Sequence, residues 1–273
     1  MKQKLAVAAA VGLAVCSFSA IAFASGAESS IVAANNEVGI AAVGTLMNYQ
    51  ENLPSPSDTE SGWMPGFEFK YSLMGNYFSS LPSNIYFAVN YQFNSGGIHY
   101  DGANLATHKP VQTTDDATTN RVLARIGKGF TIARSVMLTP YIAGGYQDWN
   151  RHLSAIETED YSSGLVGAGA LFQYAATSDL VLSANLEGLA MVGAGMTPHL
   201  AGLPDLGSAS FKTSGQEKIG VDADYKISGP WHIYGGLSFT HFNYTGGELK
   251  YGFFEPSSQT NLFSMDAGIG YQF

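Results

Sequence analysis

The sequence predicts an all-β fold: a transmembrane, up-and-down antiparallel β-barrel of ten strands. Three observations carry this. Apolar residues recur at every second position in segment after segment, the mark of strands with one greasy and one wet face. The chain of 273 residues is 45% hydrophobic and 12% aromatic but only 13% charged, against about 25% in an ordinary soluble domain. The connections between the alternating segments run long, short, long, short along the whole chain. Beyond the N-terminal 25 residues no apolar run is long enough for a membrane helix, whereas a barrel strand needs only about ten alternating residues. Eight strands, with one hairpin misread, is the structural alternative.

Lys2 and Lys4 precede an apolar run from Leu5 to Ala22, and Ala22-Phe23-Ala24 supplies a small-residue cleavage site. Residues 1–24 therefore read as a secretory signal peptide. The single cysteine, Cys16, falls inside it. Val15 before it is too bulky for a lipoprotein cysteine, so the mature chain is expected to have no thiol or disulfide chemistry. A formal charge of −9, with no basic patch, sets nucleic acid aside as a partner.

Residues 25–36 are small and polar and read as a flexible lead-in; residues 37–273 form the barrel domain. The first strand covers 37–50, with faces too alike to orient, and a Pro/Ser/Asp-rich loop follows. Phe67, Phe69, Tyr71 and Leu73 mark the second strand. Ile85, Phe87, Val89, Tyr91 and Phe93 mark the third. A long polar loop over 95–118 leads to the fourth, with Val122, Ala124 and Ile126. The fifth, 136–149, contains Pro140, which weakens it as a strand. A charged loop at 151–160 precedes the sixth, with Val166, Ala168, Ala170, Phe172 and Tyr174. The seventh carries Leu180, Leu182, Ala184 and Leu186, and a Gly/Pro-rich loop follows at 196–210. Ile219, Val221, Ala223, Tyr225 and Ile227 mark the eighth strand. The turn Ser228-Gly229-Pro230 leads to the ninth, with Trp231, Ile233, Leu237 and Phe239. The tenth ends the chain, with Phe263, Met265, Ala267, Ile269, Tyr271 and Phe273 on one face.

On the opposite face of these strands sit Glu68, Glu187, Asp222, Asp224 and Asp266, and Lys70, Arg121, Arg125, Lys218 and Lys226. Their parity puts all ten in the lumen, away from lipid, where a Lys or Arg at mid-depth would cost about 2–4 kcal/mol. Both signs interleave. That composition fits an electrostatically packed interior, or a narrow channel along these side chains. Trp63, Tyr49, Trp149 and Tyr161 are expected in an outer aromatic girdle, and Tyr174, Phe130, Trp231 and Tyr271 in an inner one.

The last strand, closing on Tyr271-Gln272-Phe273, resembles the closing strand of Gram-negative outer-membrane β-barrels. The whole mature chain is similar in pattern to the small barrels of the opacity and OmpA-barrel kind. The resemblance implies a place in the outer membrane and contact with its lipid and lipopolysaccharide. It further implies recognition of Tyr271 and Phe273 by the barrel assembly machinery, and no cofactor. It leads to a non-enzymatic protein with a role in envelope structure or surface interaction, the alternative being a narrow porin-like channel for small solutes.

A remoter alternative is the omptin protease family, which resembles this chain in strand count only. Those barrels set an Asp pair across the outer mouth from an Asp–His pair. Asp115 and Asp116 are the nearest imitation of the first, and His152 near Asp148, or His199 near Asp205, of the second. A lipid-modifying enzyme would need a Ser/His pair, but Ser238 and His241 have opposite parity. His99, His108 and His199 are scattered without metal-ligand spacing. The glycines of 164–169 belong to a strand with no Lys-Ser/Thr after it, so they form no phosphate loop. Asn243-Tyr-Thr matches a glycosylation acceptor, which carries little weight in a bacterial-type chain.

Overall fold

A computed structural model describes residues 26–53, 57–76, 83–103, 109–202 and 204–273. The signal peptide at 1–24 and His108 lie outside them. Ten long strands form the wall: β1 Glu37–Glu51, β2 Thr59–Gly75, β3 Ile85–Ala103, β4 Pro110–Lys128, β5 Val136–Ser154, β6 Glu157–Ala175, β7 Leu180–Leu200, β8 Ser214–Ser228, β9 Trp231–Tyr244 and β10 Ser258–Gln272. Each pairs antiparallel with its neighbours in sequence. The barrel closes through β10 on β1, from Glu37↔Gln272 to Glu51↔Ser258. Ten strands is the count, and the eight-stranded alternative is set aside.

The wall is inverted relative to a soluble protein. Val38, Ile40, Phe69, Val122, Ile126, Ile142, Val166, Leu186, Ile219, Ile233 and Ile269 are exposed on the outside. They form a continuous apolar belt, as lipid requires of a closed sheet with no free edge. The alternate positions point inward and mix polar and small residues with buried Met, Leu and aromatic side chains such as Met47, Tyr86, Leu123 and Tyr141. Of the expected inner girdle, Phe130, Trp231 and Tyr271 are exposed at the inner end, where the short turns lie, and Tyr174 is half-buried.

The outer girdle is corrected. Trp63 faces out, but Tyr49, Trp149 and Tyr161 are buried, each 4% exposed or less. Their height along the strand is right for a girdle, but their parity faces the lumen.

The long connections are also corrected. The ladder between β3 and β4 runs unbroken from Ile85↔Lys128 to Ala103↔Pro110. That between β5 and β6 reaches Ser154↔Glu157. Most of the polar stretches expected to be loops are strands that stand clear of the belt. Outside lipid a strand needs no apolar face, so alternation fades while the hydrogen-bond ladder continues. Pro140 is tolerated for a related reason. It falls opposite a gap in the neighbouring ladder, between Gly127↔Tyr141 and the short continuation Phe130↔Leu138, so its missing N–H breaks no bond on that side.

The lead-in, expected without regular structure, contains a helix. Residues Ala27–Ala34 form a two-turn helix, α1, that sits in the inner mouth. Ile31 is 1% exposed. Side-chain hydrogen bonds fix the segment to the rim, among them one that Asn36 Oδ1 accepts from the Met74 N–H (2.9 Å). Ser30 Oγ donates to the Ser178 carbonyl (2.8 Å), Asn35 Nδ2 to Gln173 Oε1 (2.7 Å), Asn36 Nδ2 to the Met74 carbonyl (2.6 Å), and Asn84 Nδ2 to Glu28 Oε1 (2.9 Å). Small residues allow the helix into a mouth this narrow, and the Asn and Ser side chains meet the carbonyls that the strand ends leave unpaired.

Candidate functional site: the lumen and its closures

The ten charges singled out from parity all point inward. Glu68, Lys70, Arg121, Arg125, Lys218, Asp222, Asp224 and Asp266 line a central cavity of about 190 Å³, whose floor includes Ala34 and Asn35 of the α1 segment. Glu187 is buried in the wall beside it, and Lys226 stands at the inner rim.

Glu187 on β7 ties the middle of the lumen together. Arg125 Nε donates to Oε2 at 2.8 Å, Arg121 Nη2 to Oε1 at 3.2 Å, and Tyr141 Oη to Oε2 at 3.1 Å. Arg125 Nη1 also donates to Asn90 Oδ1 (2.7 Å), and Asn90 Nδ2 to Glu68 Oε1 (3.0 Å). Two arginines on one carboxylate, braced by neutral amides, cross the lumen from β4 to β7. Such a network holds its members rigidly because every lost partner would leave a buried charge unpaired.

A second cluster closes the outer end, and its members were scattered in the sequence. Arg151 on β5, 1% exposed, is its centre. Its guanidinium pairs with Glu60 of β2, with Glu159 of β6 (2.6 Å) and, at 3.9 Å, with Glu51 of β1. Tyr49, Trp149 and Tyr161 surround its plane at 4.8, 5.2 and 5.8 Å from their ring centres. Tyr161 Oη donates to Glu255 Oε1 at 2.6 Å. Burial pushes these carboxyls up, against the pull of Arg151: Glu51 to about 8 and Glu255 to about 7. Asp115 reaches about 7, through burial and then the charge of Glu60. One arginine does not offset the burial of the four acids Glu51, Glu60, Asp115 and Glu255, so their carboxyls stay raised. The sequence signal for this cluster was parity. Glu51, Glu60, Arg151 and Glu159 stand on the same face as the lumen charges, but on stretches read as loops.

Among the described residues, the Asp–Asp and Asp–His pairs weighed from the sequence are not formed. Asp115 faces the lumen and Asp116 faces out, with His152 as its cross-strand neighbour on β5. Asp148 accepts from Asn120 Nδ2 (2.9 Å), not from His152. His199 bonds Asp160 (3.0 Å), while Asp205 pairs with Lys250 (3.0 Å). His241 bonds Asn261 at 2.9 Å, and Ser238 lines the lumen on the opposite face.

No family model matches the chain, and no curated protein matches it in sequence. Among solved structures it is similar to the outer-membrane protease OmpT from Escherichia coli, with a TM-score of 0.50 and 10% identity over 88% of this chain and 97% of that one. The fold is that of an outer-membrane β-barrel. Others it resembles are the transport unit of the autotransporter AIDA-I from Escherichia coli (TM-score 0.46, 14% identity, 90% and 97% covered) and Ail, the attachment invasion locus protein of Yersinia pestis (0.35, 12%, 88% and 99%). At these identities the likeness is one of fold.

Proposed function

We propose that this is a non-enzymatic, non-conducting outer-membrane barrel with a role in envelope structure or surface interaction, in the manner of the opacity and OmpA-type proteins. One observation carries the reading: the lumen is obstructed at three heights. The Arg151 cluster fills its outer end, the Glu187–Arg121–Arg125 bridge crosses its middle, and α1 fills its inner mouth. A barrel of ten strands is narrow enough for side chains to do this. The apolar belt supports a place in lipid, with lipopolysaccharide on its outer leaflet. Phe273 supports a terminal signal to the assembly machinery, since it is exposed and stacks on Tyr71 at 5.6 Å. Beyond the outer rim, Tyr251, Phe253 and Phe254 are exposed on a short hairpin. Grouped apolar residues at the tip of a protruding loop favour contact with another surface.

The rival is a narrow channel through the central cavity, with its mixed charges. Planar-bilayer recording of the refolded mature chain separates the two. The expected record is flat. Stable single-channel steps from the intact chain, lost when Arg125 or Asp222 is neutralised, would overturn the obstructed-lumen reading.

A further inference from the structure

Where the inner mouth meets the lumen, three buried side chains converge from three strands: Glu37 of β1, Asp224 of β8 and His232 of β9. One donor atom from each lies within 4.8 Å of the others. Glu37 is 0% exposed and His232 3%. Asp224 Oδ1 lies 2.5 Å from His232 Nδ1 and fixes the ring. His232 Nε2, Asp224 Oδ2 and both Glu37 oxygens are buried without a hydrogen bond. Lys70 pairs with Glu37 and lies 3.2 Å over the ring centre of Tyr234, and Lys226 is the cross-strand neighbour of His232.

The backbone makes room for this cluster. A Cβ on Gly270 of β10, between β9 and β1, would overlap the Glu37 carboxylate. Only a glycine there lets the carboxylate lie across the closing strand toward His232. On the other side a hollow of about 370 Å³ opens beside α1, lined by Ser30, Asp224, Lys226, His232 and Gln272 among others.

We propose that Glu37, Asp224 and His232 bind a first-row divalent metal ion such as zinc. Two buried carboxylates flank the imidazole, Asp224 Oδ2 has no hydrogen bond and Glu37 is held by one lysine, so a further cation between them would offset the cost of their burial. Zinc takes His nitrogen and carboxylate oxygen at about 2.0–2.2 Å, so its opposite donors stand at most about 4.4 Å apart. The cluster closes on an ion with small side-chain shifts. The imidazole argues against calcium and magnesium, which favour all-oxygen shells. The ion would replace the proton now shared by His232 Nδ1 and Asp224 Oδ1, with a Glu37 oxygen as the third donor. Water from the inner hollow completes the shell. Lys70 leaves Glu37 and keeps its place over Tyr234. The ion then joins β1 to β8 and β9 across the closing seam.

The refolded chain in detergent, stripped with chelator, is titrated with Zn²⁺ at pH 7.5 against a chromophoric competitor. One equivalent is expected. Glu37→Gln and His232→Ala should each weaken it at least tenfold, while His199→Ala and His241→Ala leave it unchanged. Heat-shifted gel migration verifies that each variant is folded. X-ray absorption on the wild-type zinc complex needs no variant and should show one imidazole in an otherwise oxygen shell. No zinc retained by the folded wild type, unchanged affinity in folded Glu37→Gln and His232→Ala, or a shell with no imidazole or more than one would overturn the proposal.

Discussion

Arg151 reaches Glu60 across the outer lumen, from β5 to β2, with its Nε donating to Oε1 at 2.7 Å. Neither side chain meets solvent to any extent. Removing one partner of such a pair leaves the other charge buried. Arg151→Met should therefore destabilise the barrel by about 3–5 kcal/mol, read as a lower urea midpoint in detergent. The double variant Arg151→Met/Glu60→Gln should recover part of the loss, and simple additivity of the two single changes would show that they do not act as a pair.

The acids around Arg151 set a pH dependence. Glu51 rises from 4.5 to about 8 in the folded chain, chiefly by burial. The folded state therefore holds a proton that the unfolded chain has released by neutral pH. Stability from this group is fully present below pH 4.5 and is lost as pH rises toward 8. Glu255 and Asp115, both raised to about 7, act in the same direction. Unfolding midpoints measured from pH 4.5 to 8.5 should fall, and Glu51→Gln should flatten the slope. A midpoint that climbs with pH over this range would contradict the assignment.

The lipid-facing wall should respond to charge but not to shape. Ile142 is 67% exposed near the middle of the belt. Ile142→Arg should cost about 2–4 kcal/mol at such a depth, while Ile142→Leu should stay near neutral because the side chain packs against fluid lipid. Folding titrations in bilayers compare the two directly.

A side chain at Gly270 should force the Glu37 carboxylate to move aside. Its Cβ would take the space of the buried Glu37 carboxylate, so Gly270→Ala should destabilise the seam by about 1–3 kcal/mol. Gly229, in the β8–β9 turn with φ of 56°, is a useful contrast. There nothing stands within 4 Å of a Cβ, and Gly229→Asn, whose residue accepts that backbone region, should be mild.

Phe273 should matter more to assembly than to the finished barrel. Its backbone N–H donates to the Asn36 carbonyl at 3.2 Å, a bond that survives any side-chain change. Phe273→Ala is expected to lower the amount reaching the outer membrane severalfold in cells, with little change in the urea midpoint of refolded protein. Equal yields in membrane fractions would remove the signalling role.

The wall was readable from residue order because lipid imposes a strict period on every strand it touches. Phe87, Val89 and Tyr91 could not have faced a polar lumen, nor Arg125 and Asp222 the membrane. The reading lost its grip where that constraint ends. Thr113, Asp115 and Ala117 belong to a ladder as regular as the membrane part, yet no apolar face marks it. Tyr49, Trp149 and Tyr161 show the same limit from the other side. An aromatic at girdle height is an anchor when it points out and a wall around Arg151 when it points in. The helix at Ala27–Ala34 had no amphipathic stripe to announce it. It is held by asparagine and serine bonds to rim groups that only the closed barrel brings near. The clusters at Arg151 and at Glu37–Asp224–His232 likewise join residues from strands far apart in the chain.

The Glu187 bridge bears on how this protein changes over generations. Arg121, Arg125, Tyr141 and Asn90 are bound directly or through one another to a single carboxylate. A drift at any one position strands the others, so interior positions are expected to be replaced together or not at all. Lipid-facing positions have no such ties and are free to wander among apolar residues. In this molecule the heritable record of the fold would be kept by its polar residues, and the greasy ones would carry the noise.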